Sequence, residues 1–203
     1  MLVSLIVANP KPRSFCHALA LAAASVCRSL GHEVRFHDLH LESFNPVLDE
    51  QELKERRSGS PLVEEHCREA KDADAFIIVH PNWWGQPPAI LKGWVDRVLR
   101  ADVAYRFSEG DAGTGIPRGL LKARLAIVLN TSDTPLEREL ATFGDPLDTL
   151  WGKCIFRYCG VPEFVHHTYS VVANSSAAER QAWLEHAREL VRDALAAGAP
   201  PAR

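Results

Sequence analysis

The sequence predicts an α/β protein built on a doubly wound, five-stranded parallel sheet. Two observations carry this: short apolar runs alternate with longer helical runs along the chain, and the helical runs at 14–30 and 147–159 are each followed by a glycine, Gly31 and Gly160. That alternation implies parallel strands joined by right-handed helical crossovers. A third observation locates a site. The apolar run at 75–79 reads straight into Pro81-Asn82-Trp83-Trp84 and then a helix, which puts rigid aromatic side chains at the carboxyl edge of the sheet. Open α/β folds bind ligands at that edge.

Residues 2–8 are apolar but lack a basic leader and are too short to span a bilayer, so they read as a buried first strand. The Ala- and Leu-rich stretch 14–30 is a helix that Gly31 ends, and 33–37 a second strand. Residues 45–60 are charged and turn-rich; 61–71 form a helix leading to a third strand at 75–79, buried on both faces. A helix over 89–99 follows. Residues 100–121 break the pattern with a polar excursion, whose Gly113-x-Gly115 neither follows a strand nor opens a helix and so reads as loop. A fourth strand at 123–130, a helix at 147–159 and a fifth strand at 164–172 come next. The last helix spans 177–197, with Trp183, Leu184, Ala187, Leu190, Val191 and Leu195 on one stripe. Residues 1–198 are thus expected to form one domain, and 199–203 a frayed tail.

Composition allows a substantial core and excludes some partners. Of the 203 residues, 46% are hydrophobic, which suffices for one core. A net charge of −3 gives no general attraction to nucleic acid or anionic membrane. The five cysteines, with no C-x-x-C pair, suggest neither a disulfide framework nor zinc, and a reducing cytoplasm is the simplest location. The histidine clusters His37/His40 and His166/His167 have no cysteine or acidic partner at ligand spacing and read as structural.

Two loops carry chemistry. The Trp83-Trp84 loop suits a planar ligand. The first βα turn, Asn9-Pro10-Lys11-Pro12-Arg13-Ser14-Phe15-Cys16, has no glycine, so it is neither a dinucleotide fingerprint nor a Walker loop. It offers a hydroxyl and free N–H groups at a helix start between cations, which favours a phosphate. Ser14 reads equally as that phosphate contact and as a plain N-cap.

Ser14-Phe15, Asp38-Leu39, Phe44-Asn45-Pro46, the whole of 81–98, Ala104-Tyr105, Cys159-Gly160 and Tyr169-Ser170 make the chain similar to the NAD(P)H-dependent quinone reductases of flavodoxin-like fold. The resemblance covers nearly the whole chain and implies a sheet of order 2-1-3-4-5. It implies a flavin, with FAD favoured and FMN the alternative, held by Asn9, Ser14, Phe15 and Cys16 at its phosphate and ribose. Pro81, Asn82, Trp83 and Trp84 would lie at its ring, and backbone of the loop Asn130-Thr131-Ser132-Asp133 at the ring edge. Arg180 matches a contact to the distal part of FAD, or is an exposed helix-start arginine. Trp84, Gly85, Tyr105, Phe107 and Phe143 are the substrate-pocket positions. In the family, Tyr105 and Phe107 would come from the second subunit of a homodimer; the alternative is packing within their own subunit. The chain departs from the mammalian members where a tyrosine and a histidine handle protons, since Glu137 and Phe143 stand there, and no catalytic residue is assigned.

The implied activity passes hydride from NAD(P)H through the flavin to a quinone or similar acceptor. The alternative is an ancillary, flavin-binding subunit of a potassium-efflux transporter, docking through 49–57 and 108–118. A one-electron carrier fits less well, because such carriers present a strongly acidic face.

Overall fold

The computed structural model describes residues 1–111 and 114–198. Gly113 of the Gly113-x-Gly115 loop and the expected tail at 199–203 lie outside the described residues. The elements, in chain order, are β1 (Leu2–Val7), α1 (Phe15–Ser29), β2 (Glu33–Asp38), α2 (Glu50–Glu55), α3 (Pro61–Asp72), β3 (Ala75–Pro81), α4 (Ala89–Val98), β4 (Tyr105–Arg106), β5 (Arg118–Gly119), β6 (Leu125–Ser132), α5 (Leu136–Phe143), α6 (Pro146–Asp148) continuing as a π-helix (Thr149–Arg157), β7 (Glu163–Ser170) and α7 (Ala177–Ala197).

The main sheet runs β2-β1-β3-β6-β7, all pairs parallel, while β4 and β5 form a separate two-residue ribbon. Counting main-sheet strands alone, this is the expected order 2-1-3-4-5. Strand alternation splits the core into two layers. Val3, Leu5, Val7, Ile77, Val79, Ile127 and Leu129 face α1 and α7. Ile6, Phe76, Ile78, Ala126 and Val128 face α3, α4 and the π-helix, where Trp94, Trp151 and Phe156 are buried. Both faces of the central strands are covered, which is why they read as unbroken apolar runs rather than alternating ones.

The structure corrects three boundaries. The strand expected at 123–130 is Leu125–Ser132, because its pairing continues through Pro81↔Thr131 on one side and Ser132↔Ser170 on the other. Asn130, Thr131 and Ser132 therefore close a buried strand end, and of the expected ring-edge loop only Asp133 is outside the strand. The turn-rich stretch 45–60 contains α2, capped by the Asp49 side chain on the Glu52 N–H at 2.8 Å. Its Glu52 is buried against Arg97 of α4 and bonds Ser58 as well. The helix expected at 147–159 begins earlier as α6 and turns π-helical, and α5 precedes it with no buried residue. Leu136, Leu140 and Phe143 recur at helical spacing on α5, but over only eight residues and on an exposed face.

Gly93 sets the approach of α4 to the loop after β2. A methyl at its Cα would overlap the Pro46 backbone, which has no flexible tip to move aside. Gly93→Ala is expected to cost about 1–3 kcal/mol by overpacking; urea denaturation reads this as a lower midpoint at unchanged slope.

Candidate active site

Strand ends place the site. β1, β3 and β6 are adjacent and parallel, so the loops leaving them open on the same edge of the sheet. Between them lies a cleft of about 600 Å³. Asn9, Lys11, Arg13 and the α1 start at Ser14, Phe15 and Cys16 form one wall, and Pro81, Asn82 and Trp83 a second. Thr131, Ser132, Asp133 and Thr134 form the third, with Val172, Ala173 and Arg180 beyond them.

At the α1 wall, Ser14 is the N-cap, its side chain accepting the His17 N–H at 3.4 Å, and it also lines the cleft. The N–H groups of Phe15 and Cys16 have no carbonyl four residues back within the helix. With Lys11, Arg13 and Arg180 alongside, this end of the cleft is suited to an anion. Local turns shape the wall: Asn9 Oδ1 accepts the Lys11 N–H at 2.9 Å, and Arg13 adopts a left-handed φ of 56°. Cys16 ties the wall to β6, its Sγ 3.2 Å from Thr131 Oγ1. Burial raises the pKa of that thiol, which makes it a packing group rather than a nucleophile. Phe15 turns its ring toward Tyr169 and Trp183, at centroid distances of 6.3 and 5.8 Å, and anchors the helix start to β7 and α7.

At the opposite end, Trp83 and Gln86 exchange backbone hydrogen bonds of 3.1 and 3.0 Å around Trp84 and Gly85. Both central residues are left-handed, at φ 59° and 68°. Two such residues make the mirror-image tight turn that asparagine and glycine normally fill. A tryptophan held there is strained, and strain of this kind clusters at functional sites. The turn leaves the Trp84 side chain 100% exposed. Asn82 supports it, with Oδ1 accepting the Gly85 N–H at 3.0 Å. A second pocket, of about 630 Å³, adjoins the cleft through Asn82 and Thr134 and is lined by Trp84, Gly85, Arg138, Glu139, Phe143 and Pro146.

Beneath both lies a buried polar network. His80 Nδ1 donates to the Pro81 carbonyl at 2.8 Å, while His80 Nε2 accepts from Trp151 Nε1 and Asn130 Nδ2, each at 2.9 Å. Asn130 Oδ1 accepts from His166 Nε2 at 2.7 Å, and His166 Nδ1 faces Asp145 at 3.3 Å. Asn130 thus points its side chain into the sheet and does not line the cleft, although it stands in the expected ring-edge stretch. Burial pushes the His80 imidazole down to about 4 and lowers His166 as well. His80 is neutral at pH 7 and serves as a fixed hydrogen-bonding joint.

Other expected residues fall elsewhere. Tyr105 packs on Tyr158 and Phe107 within its own chain, at 5.1 and 5.9 Å between centroids, and neither Tyr105 nor Phe107 lines the cleft or the Trp84 pocket. Arg180 lines the cleft, yet three of its hydrogen bonds, to Ser175 Oγ and the carbonyls of Val172 and Ser175, clasp the loop after β7. Glu137 is exposed on α5 and lines neither pocket. His37 does acquire acidic partners in the fold, Glu42 on Nδ1 at 2.8 Å and Glu69 on Nε2 at 2.5 Å, which no sequence spacing had suggested. Burial opposes a charge on His37, but those carboxylates outweigh it and raise its pKa. Ligand-type atoms of His37, Glu42 and His66 lie within 4.8 Å of one another. Trp94 Nε1, however, donates to His66 Nδ1 at 2.9 Å, so the neutral ring carries its proton on the Nε2 a metal would need. The cluster is an ion-pair network, not a metal centre.

The flavodoxin-like fold family matches residues 1–192. The chain belongs to that family. It is 30% identical over 202 residues to an uncharacterized NAD(P)H oxidoreductase of Haemophilus influenzae, covering 95% of each chain. It is 29% identical over 179 residues to the rat NAD(P)H dehydrogenase [quinone] 1, covering 77% of this chain and 64% of that protein. Among solved structures, the NAD(P)H:quinone oxidoreductase from Methanothermobacter marburgensis superposes with a TM-score of 0.80 at 25% identity, over 95% of this chain and 96% of that one. Among the described residues, no helix is long and apolar enough to cross a membrane.

The buried histidines give the fold a pH dependence. An unfolded histidine takes up a proton near 6.5, whereas folded His80 does so only near 4, and His167 is lowered to about 4 by burial too. Between those values the unfolded state binds more protons at these two residues, so the stability they contribute rises with pH across the window and is lost as pH falls toward 4. Denaturation of wild type and His80→Gln over this range is expected to give a shallower slope for the variant; equal slopes contradict the assignment.

Proposed function

We propose that the chain is a flavin-dependent NAD(P)H oxidoreductase that passes hydride from NAD(P)H to a quinone or a similar electrophilic acceptor. One observation carries this reading. A single cleft at the carboxyl ends of β1, β3 and β6 joins a cationic, hydroxyl-bearing helix start to an aromatic turn and adjoins a pocket walled by Trp84 and Phe143. The relatives' names point the same way: NAD(P)H oxidoreductase and NAD(P)H dehydrogenase [quinone].

The donor set fits a flavin nucleotide. Ser14, the Phe15 and Cys16 N–H groups, Lys11 and Arg13 would hold its phosphate, with Asn9 shaping the turn. Pro81, Asn82 and Trp83, opposite Thr131, Ser132 and Asp133, would hold the ring. Bound there, a flavin would supply the chemistry of hydride transfer between NAD(P)H and the acceptor. The chain's residues bind, orient and shield. Trp84, Gly85 and Phe143 offer an apolar surface on which a nicotinamide and then a quinone stack in turn, with NAD(P)⁺ leaving before the quinone enters. The quinone departs as the hydroquinone after taking one hydride and one proton. Phe143 has no proton to give and Glu137 stands outside both pockets, so neither supplies that proton. FAD is favoured over FMN because Arg180 extends the cationic lining beyond Ala173. The protein is read as a homodimer, in which Tyr105 and Phe107 of the neighbouring subunit close the acceptor pocket that they do not reach within their own chain.

Purified protein is expected to retain FAD or FMN, identified by mass after extraction, and to oxidise NADH or NADPH in the presence of a quinone. Trp84→Ala should keep the flavin and lower kcat/KM for the quinone by about tenfold, an aromatic stacking loss of about 1.4 kcal/mol. A protein that binds neither flavin and oxidises neither nucleotide with any quinone would sink the reading.

A further inference from the structure

Behind Ser14 stand two polar side chains that the flavin reading does not use, His17 and Asp38. Ser14 Oγ lies 2.7 Å from His17 Nδ1, and His17 Nε2 lies 2.9 Å from Asp38 Oδ2. His17 sits one turn into α1 on the same face as Ser14. Asp38 is the last residue of β2, brought beside α1 by the pairing Val7↔Asp38. The His17 and Asp38 side chains are only 14% and 15% exposed. The other oxygen of Asp38 accepts the backbone N–H groups of His40 and Leu41, at 3.1 and 3.2 Å, so the carboxylate is held in place.

A carboxylate only accepts hydrogen bonds, so the proton of a neutral His17 ring is on Nε2 and Nδ1 is an acceptor. The Ser14 hydroxyl then sends its one proton to Nδ1, accepts the His17 N–H on one lone pair and has only the other left for the cleft. A phosphate oxygen arriving at Ser14 would meet that lone pair. Protonating the ring reverses the arrangement: Nδ1–H donates to Ser14 Oγ, and the hydroxyl proton turns toward the cleft and the phosphate.

We propose that His17, held by Asp38, is a positioning residue that sets the direction of the Ser14 hydroxyl, so that binding a phosphate-bearing ligand at Ser14 is coupled to proton uptake by His17. This rests on the reading of the cleft as a flavin site. The groups that face His17 are Ser14 on its own helix and Asp38 from β2. Phosphate charge arriving at Ser14, one hydrogen bond from the ring, adds to that of Asp38 in favouring the imidazolium. One proton enters from solvent on binding and returns on release. A further consequence is that the ligand binds more weakly as pH rises through the histidine range.

Calorimetric titration of FAD into the flavin-free full chain, in buffers of different ionisation enthalpy, counts the protons taken up. FAD is the probe because its diphosphate does not titrate near neutrality, unlike the phosphate monoester of FMN. The wild type is expected to take up as much as about one proton per FAD, with Kd rising by up to about tenfold per pH unit. His17→Gln is expected to bind FAD with neither effect. Asp38→Asn, which keeps a partner for Nε2 but removes its charge, should move the pH of maximal uptake downward and stands in if His17→Gln does not fold. Zero uptake by the wild type at every pH, undiminished uptake in folded His17→Gln, or an unmoved maximum in Asp38→Asn overturns the coupling while leaving the flavin site intact. Failure of the wild type to bind FAD at any pH overturns both.

Discussion

The pairing of β3 with β6 out to Pro81↔Thr131 is the constraint on which the site depends. It brings two strands to the same height at the sheet edge and passes directly into the Asn82 N–H bond to the Thr131 carbonyl, at 2.7 Å. His80 and Asn130 lock that end from below, and Trp151 locks it from the π-helix. Two neutral, fully bonded polar residues inside an apolar sheet are costly to leave unsatisfied, so the network specifies one register for the strands. The strained Trp83–Gln86 turn is held at the end of this rigid platform.

Charge is segregated across the same edge. Cations gather at the α1 start, whose first turn carries no acidic residue and leaves the Phe15 and Cys16 N–H groups without a helical carbonyl. At the other end, Trp84 and Phe143 supply apolar surface with 100% and 67% exposure, an arrangement that serves a ligand better than it serves folding. One ligand with an anionic tail and a flat, apolar ring satisfies both ends, and a flavin nucleotide has that shape of charge. Ser14, at the cationic end, is coupled through His17 to Asp38 on the outer strand, so protonation one layer behind the wall bears on the cleft.

Much of the fold was legible because its signals are local. Strands buried on both faces are continuous apolar runs, and the strand–Pro81–Trp84–helix succession gave the site edge directly. Ser14 was legible as a phosphate contact or an N-cap; it is the N-cap and faces the cleft as well. What stayed hidden depends on tertiary contact. The true end of β6 is set by its two neighbours, not by its own composition, so most of the stretch expected as a loop lies within the strand, and the Asn130 side chain belongs to the buried network. α5 buries nothing, and the Glu42 and Glu69 partners of His37 come from a loop and a helix that no spacing rule connects to it. The His17–Asp38 contact was within reach. A 2-1-3 strand order places the end of β2 beside the start of α1, and His17 stands three residues after Ser14 on that helix.

The central claim is that the α1 end of the cleft holds a phosphate and the Trp83 end a flavin ring. Comparing the Kd values of riboflavin, FMN and FAD for the wild-type chain tests it most directly, since the three share the ring and differ in the phosphate. The account predicts that FMN and FAD bind far more tightly than riboflavin and that Ser14→Ala narrows the gap. Equal affinities for all three would contradict it.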